Sequence, residues 1–136
     1  MFFLLDTNIV SELRKRERMN PGVLAWFEAT YVHNLFLSVI TIGEIRRGIE
    51  EKRPSDSVQA GHLDAWMERT LTLFQGHLLP ITPVIADRWG RLCPNQPLSI
   101  EDGLIAATAL EHDMLLVTRN TKDFKRTGVK LLNPFT

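Results

Sequence analysis

Phe2-Phe3-Leu4-Leu5-Asp6-Thr7-Asn8 sets an acid directly behind an apolar run, and the same juxtaposition recurs along the chain. Glu44 lies just past Leu35-Phe36-Leu37-Ser38-Val39-Ile40. Asp102 opens an alanine-rich helix that leads into Met114-Leu115-Leu116-Val117, and Asp123 follows that last run. The runs are continuous rather than alternating, which suits parallel strands covered on both faces. A helix leaving such a strand starts at its carboxyl edge, and a helix feeding directly into the next parallel strand starts there too. Parallel pairing therefore gathers Asp6, Glu44, Asp102 and Asp123 at one edge of one sheet.

Five runs read as strands: Phe2 to Leu5, Leu35 to Val39, Leu78 to Ile81, Met114 to Thr118, and Val129 to Leu132. Helical patterns lie between them. Asn20 before Pro21 gives an N-cap and a first-turn proline, with Leu24 and Phe27 on one face. Thr41 to Lys52 carries the stripe Ile42, Ile45 and Ile49. His62 to Phe74 carries Leu63, Trp66, Met67, Leu71 and Phe74. Thr82-Pro83 starts another helix, and Ser99 starts the last clear one. Alternating strands and helices imply an α/β fold around a mainly parallel five-stranded sheet. The two consecutive helices between the second and third strands are expected to project as a hairpin away from it.

The chain has 136 residues and a formal net charge of zero, so residues 1–136 are expected to form a single domain of ordinary globular composition. Neutral charge gives no compositional pointer to nucleic acid, although local patches can act while an acidic site cancels the total. The lone cysteine, Cys93, has no intrachain partner, which fits a reduced cytoplasmic chain. No apolar stretch approaches the ~20 residues needed to span a bilayer. The N-terminal run lacks a basic leader and reaches Asp6 too early for a signal peptide.

Each acid has a local alternative. Asp6, in Asp6-Thr7-Asn8, suits a helix N-cap. Glu44 suits a first helical turn. Asp102 could close a capping box opened by Ser99, and Asp123 could do the same behind Asn120. None of these roles explains why four acids share one edge. Confined carboxylates repel and raise one another's pKa unless a counter-charge is present. Magnesium or manganese, bound by oxygen, resolves that conflict. Such an ion can activate water and neutralise charge building on a phosphodiester. Thr7, Asn8, Thr118 and Asn120 are positioned to orient the carboxylates or their waters.

Four motifs together resemble a known family: Leu4-Leu5-Asp6-Thr7-Asn8, Thr41-Ile42-Gly43-Glu44-Ile45-Arg46-Arg47-Gly48, Asp102-Gly103-Leu104-Ile105-Ala106-Ala107-Thr108-Ala109, and Leu116-Val117-Thr118-Arg119-Asn120 through Asp123-Phe124. Their order resembles a PIN domain of the VapC/FitB toxin type, over essentially the whole chain. The resemblance implies a three-layer α/β/α PIN-like domain and a Mg2+-dependent ribonuclease, with Mn2+ as a substitute. It implies inhibition by a cognate VapB-like antitoxin, a homodimer, and a larger toxin–antitoxin assembly that meets promoter DNA only through the antitoxin. By position, Asp6, Glu44 and Asp102 match the three core catalytic and metal-binding acids. Asp123 matches a more variable fourth, and Thr118 and Asn120 match polar positions around them.

Arg46, Arg47 and Arg119 are the candidates for RNA phosphate contact, beside a further basic cluster at Arg14, Lys15, Arg16 and Arg18. Ordinary pairing with Glu12, Glu17, Glu50 or Glu51 is the alternative for these cations. His33, His62, His77 and His112 have no mutual metal-ligand spacing. Trp26, Trp66 and Trp89 fit packed helix faces better than base-stacking platforms. Two other functions compete with the nuclease. One is a catalytically inactive PIN-fold binding module of a toxin–antitoxin complex. The other is an α/β phosphotransfer protein, disfavoured because Asn8 stands where a haloacid-type phosphatase needs a second aspartate. A response-regulator receiver would need paired acids near the first strand and a lysine after the last, and neither is in place.

Overall fold

The computed structural model describes all residues from Met1 to Thr136. Its strands are β1 (Phe3–Leu5), β2 (Leu35–Ser38), β3 (Leu78–Leu79), β4 (Leu115–Val117) and β5 (Leu131–Leu132), each inside the run that predicts it. All pair in parallel, in the order β3-β2-β1-β4-β5. The chain moves outward on one side of β1 and then crosses to the other. The switch in direction falls between β1 and β4, the place where open α/β sheets hold their ligands.

The helices are α1 (Thr7–Leu13), α2 (Pro21–Glu28), α3 (Val39–Lys52), α4 (Ser57–Leu73), α5 (Pro83–Arg91), α6 (Ile100–Glu111) and α7 (Thr121–Phe124). Successive strand side chains point to opposite faces, and the core divides accordingly. Leu5, Leu35, Leu37 and Val117 pack with Ile9 and Val10 of α1, Ile45 and Ile49 of α3, and Met67 of α4. Leu4 and Leu116 pack on the other face with Ile105, Ala106 and Ala109 of α6 and Phe124 of α7. The result is the three-layer α/β/α arrangement the motifs predict.

Three expectations need correction. Helix α3 begins at Val39 rather than Thr41, because the Ser38 hydroxyl accepts the Ile40 N–H and caps it. Glu44 therefore sits in the second turn, and a first-turn dipole role does not apply to it. Helix α4 begins at Ser57, five residues ahead of the apolar stripe that reveals it, because Asp56 accepts the Gln59 N–H. Nor does the α3–α4 pair project away from the sheet. Ile45, Ile49, Ala60, Met67 and Phe74 bring both helices onto the β1–β2 face. An ion-pair cluster closes the pair from outside: Asp64 of α4 meets Arg46 at 2.7 Å and Arg53 at 2.9 Å, and both arginines also bond Glu50.

Helices α5 and α6 are joined through a close approach that depends on Gly103. A Cβ built there would lie 2.6 Å from the Trp89 indole. Alanine normally improves a helix interior over glycine by about 0.5–1 kcal/mol. Here the indole reverses the sign, since overpacking a filled site costs about 1–3 kcal/mol. Gly48, also helical, has open space around its Cα. Thermal or urea unfolding should show Gly48→Ala more stable than the unsubstituted protein and Gly103→Ala less stable. Equal effects from both would contradict this packing.

Candidate active site

Asp6 is delivered by β1. Leu4 and Leu5 are fully buried in the central strand, so the residue after them emerges at the carboxyl edge with little freedom. Its backbone N–H donates to Val117 O at 2.9 Å, which fixes it against the end of β4. The residue is only 4% exposed. It accepts from the Thr118 hydroxyl at 2.7 Å, from the Thr7 N–H at 2.8 Å and from the Asn8 amide at 3.1 Å. Asp6 is thus both the N-cap of α1 and the most deeply set of the four acids, so the capping and site roles coexist. Burial pushes its pKa up, against the Thr118, Thr7 and Asn8 hydrogen bonds, and the Asp123 charge adds to the rise.

Thr7 links Asp6 to Glu44. Its hydroxyl donates to Glu44 Oε1 at 2.5 Å and lies 3.3 Å from the buried Thr41 hydroxyl. Glu44 is half-buried, and desolvation raises its pKa despite the Thr7 bond, with Asp6 and Glu101 pushing in the same direction. Asp102 comes from the first turn of α6, where Ser99 caps the helix by accepting the Asp102 N–H at 3.1 Å. No return bond from the Asp102 carboxylate to the Ser99 N–H forms, so the capping box is only half made. Burial raises the Asp102 pKa to about 6, helped by Asp6, opposed by Ser99, and raised further by Glu44 and Asp123.

Asp123 lies exposed on α7, and its charge reaches both Asp6 and Asp102. Asp6 and Asp102 are thus within electrostatic reach of each other, of Glu44 and of Asp123. Glu101 joins them, an acid that sequence reasoning passed over although it directly precedes Asp102. Asn120 contributes through its backbone, donating to the Thr118 hydroxyl at 3.0 Å, and its side chain makes no cap bond. Asn8 spans the site: its amide donates to Asp6 and Thr118, and its carbonyl accepts the Arg119 N–H at 3.0 Å.

The basic candidates separate. Arg46 is occupied by Glu50 and Asp64. Arg47 is far more open, with its nearest acids, Glu51 and Glu101, at 3.9 and 4.0 Å. Arg119 meets no acid and lies over the Phe135 ring. Of the histidines, His77 stacks on Phe36 and bonds Leu35 O, which is a packing role. Trp26 packs edge-on to Phe3. A cavity of about 620 Å3 lies between α1, α2 and α4 and includes none of the four acids in its wall.

The donor set at the sheet edge is oxygen only, which suits a hard divalent cation such as Mg2+ or Mn2+. The acids do not close into a cage, since no three His, Cys, Asp or Glu side chains converge at metal-ligand spacing. Asp6 is bonded to Thr7, Thr118 and Asn8, and Glu44 to Thr7. Such a site fits an ion that keeps several of its waters.

The sequence profile of the PIN domain matches residues 3–130. This chain belongs to the PIN-domain family. It is 31% identical to Toxin FitB of Neisseria gonorrhoeae, over 97% of each chain. It is 32% identical to VapC ribonuclease Y4jK of Sinorhizobium fredii, over 97% of this chain and 96% of that one. The solved structure of FitAB bound to an IR36 DNA fragment superposes with a TM-score of 0.83 at 31% identity, covering 99% of this PIN domain and 96% of that chain.

The raised Asp102 pKa makes a signed prediction for the metal-free protein. The native state binds more protons than the unfolded chain between about pH 4 and the folded value of about 6. Stability therefore falls as pH rises through that window and stays reduced above it. In chelator at pH 7.5, Asp102→Asn should melt higher than the unsubstituted chain, with the gap closing toward pH 4. A variant that melts at or below the parent at pH 7.5 would count against electrostatic crowding at this site.

Proposed function

We propose that this PIN domain, with residues 1–136 acting as one unit, is a metal-dependent ribonuclease and the toxin of a toxin–antitoxin pair. The observation that supports it most is the arrangement at the β1–β4 switch point. Asp6, Glu44 and Asp102 all have raised pKa values and Asp123 acts on Asp6 and Asp102, while the hydrogen bonds that brace Asp6 and Glu44 come from neutral hydroxyl and amide groups and from no basic side chain. An arrangement that costs stability on its own fits a site completed by a cation.

Asp6, Glu44 and Asp102 are the residues that would hold Mg2+ or Mn2+, with Asp123 contributing from the rim. When bound, the ion supplies charge neutralisation and an activated water for attack on a phosphodiester. Thr7 holds the Glu44 carboxylate through its hydroxyl, and Thr118 and Asn8 fix the orientation of the Asp6 carboxylate. Ionised carboxylates are needed for the cation, so its binding to the metal-free protein strengthens as pH rises toward the Asp102 value of about 6.

The named relatives include a FitB toxin and VapC ribonucleases, and the FitAB structure is a complex on DNA. These support an antitoxin partner and an RNA substrate for this chain. The groove between α1, α2 and α4 offers such a partner a seat. It is lined by Leu13, Leu63 and Leu73 and rimmed by Arg14, Arg16 and Arg69, which complements an amphipathic segment with acidic flanks.

Purified protein should cleave single-stranded RNA with Mg2+ and lose cleavage in chelator. Asp6→Asn, Glu44→Gln and Asp102→Asn should each reduce the rate by about a thousandfold or more, since each removes charge at the point where it is needed. Asp123→Asn should lose roughly ten- to a hundredfold, the range seen when an outer partner of a metal site is removed. Full cleavage by Asp102→Asn would end the mechanism. Failure of every RNA to be cut, with antitoxin binding intact, would favour the inactive binding module.

A further inference from the structure

Arg119 differs from the other two basic candidates in what its guanidinium meets. Arg46 and Arg47 both stand beside carboxylates, whereas Arg119 forms no ion pair and its only hydrogen bond is made by its backbone N–H. Its Cζ lies 4.8 Å from the centroid of the Phe135 ring. A guanidinium over an aromatic face loses side-chain freedom while its five donors stay available, and that fork matches a phosphate.

Phe135 is itself held in place. The Thr136 N–H donates to Asn20 Oδ1 at 3.1 Å, and the Asn20 amide donates to Thr136 O at 3.0 Å. The Gly22 N–H donates to the Thr136 hydroxyl at 3.2 Å. Pro134 O occupies the space that a Cβ on Gly22 would need, so this strap lies directly on the first turn of α2. The half-buried Phe135 ring packs against the α1–α4 side of the core. On its other side, Arg119 is tied through Asn8 to Asp6.

The guanidinium forms no ion pair with any of the four acids and rests on the Phe135 ring instead. Its charge is felt at Glu12, near the end of α1, and is not among those acting on Asp6, Glu44 or Asp102. A cation among those acids would compete with the metal. One displaced along α1 leaves the metal site alone and still attracts the polyanion that crosses it. We propose that Arg119, stacked on Phe135, is the docking cation for an RNA phosphodiester that flanks the one being cut, and that Phe135 is its positioning residue. This rests on the ribonuclease reading.

The test uses full-length Asp102→Asn protein, whose cleavage is expected to be reduced about a thousandfold or more, and a 5′-labelled single-stranded RNA of mixed sequence. Fluorescence anisotropy is recorded across a sodium chloride series. Arg119→Gln should weaken binding several-fold and lower the slope of log affinity against log salt by about 0.7, the value for one phosphate contact on a single strand. Phe135→Leu should weaken binding about two- to fivefold, as expected for a lost cation–π contact, and keep the salt slope. Phe135→Trp should restore affinity, Gly22→Ala should mimic Phe135→Leu by lifting the strap, and Phe135→Leu should add nothing to Arg119→Gln. Unchanged affinity and slope in Arg119→Gln would overturn the proposal. So would a Phe135→Leu loss that persists beside Arg119→Gln and is not restored by tryptophan, which would mark a packing role alone. The ribonuclease reading fails by a different result, the absence of Mg2+-dependent cleavage by the unsubstituted chain on the same RNA.

Discussion

The buried carboxylate of Asp6 is the constraint around which the rest of the site is arranged. A charge at 4% exposure survives in a protein only when it is well bonded or neutralised. Three donors approach it, from Thr118, Thr7 and Asn8, and each comes from a segment whose position the parallel sheet sets. Asn8 and Thr7 follow β1 directly, and Thr118 follows β4, the strand paired to it. Moving β4 by one residue would turn Thr118 away and leave the Asp6 charge short of a partner. The register Leu5 to Val117 is thus as much a feature of the site as the acid itself.

Opposed to those donors is the field of the neighbouring acids. Asp6, Glu44 and Asp102 all have raised pKa values, burial being the largest cause at each, with other carboxylates adding to it. The hydrogen-bond network reduces this conflict without removing it, because hydroxyls and amides carry no net charge. Stability is given up at one sheet edge and recovered in two dry layers, where Leu4, Leu5, Leu35, Leu37, Ile105 and Leu116 are fully buried. Rigid packing underneath explains how repelling groups keep their places.

The sheet and the acids were legible in sequence because the signals are local and repeated. Each strand is a continuous apolar run, and Asp6, Asp102 and Asp123 each lie a residue or two beyond a strand end or a helix start. Element ends were less legible. Ser38 reads as part of a strand yet caps α3, since a capping hydroxyl and a strand residue share the same extended backbone. In the first turn of α4, Ser57 and Gln59 are polar and Val58 is exposed, so only the small Ala60 reaches the core and no stripe shows. Long-range pairings left no trace at all. Nothing near Arg46 signals Asp64, 18 residues on, and nothing near Arg119 signals Phe135. Those contacts exist only after the helices and the final segment have packed.

The central claim is that these acids form a site completed by a divalent cation. Anomalous X-ray scattering from crystals of the protein soaked in Mn2+ tests it most directly. The account predicts a manganese peak bounded by Asp6, Glu44 and Asp102, with water filling the remaining coordination positions. Manganese bound elsewhere, with no peak among those three carboxylates at saturating concentration, would contradict it.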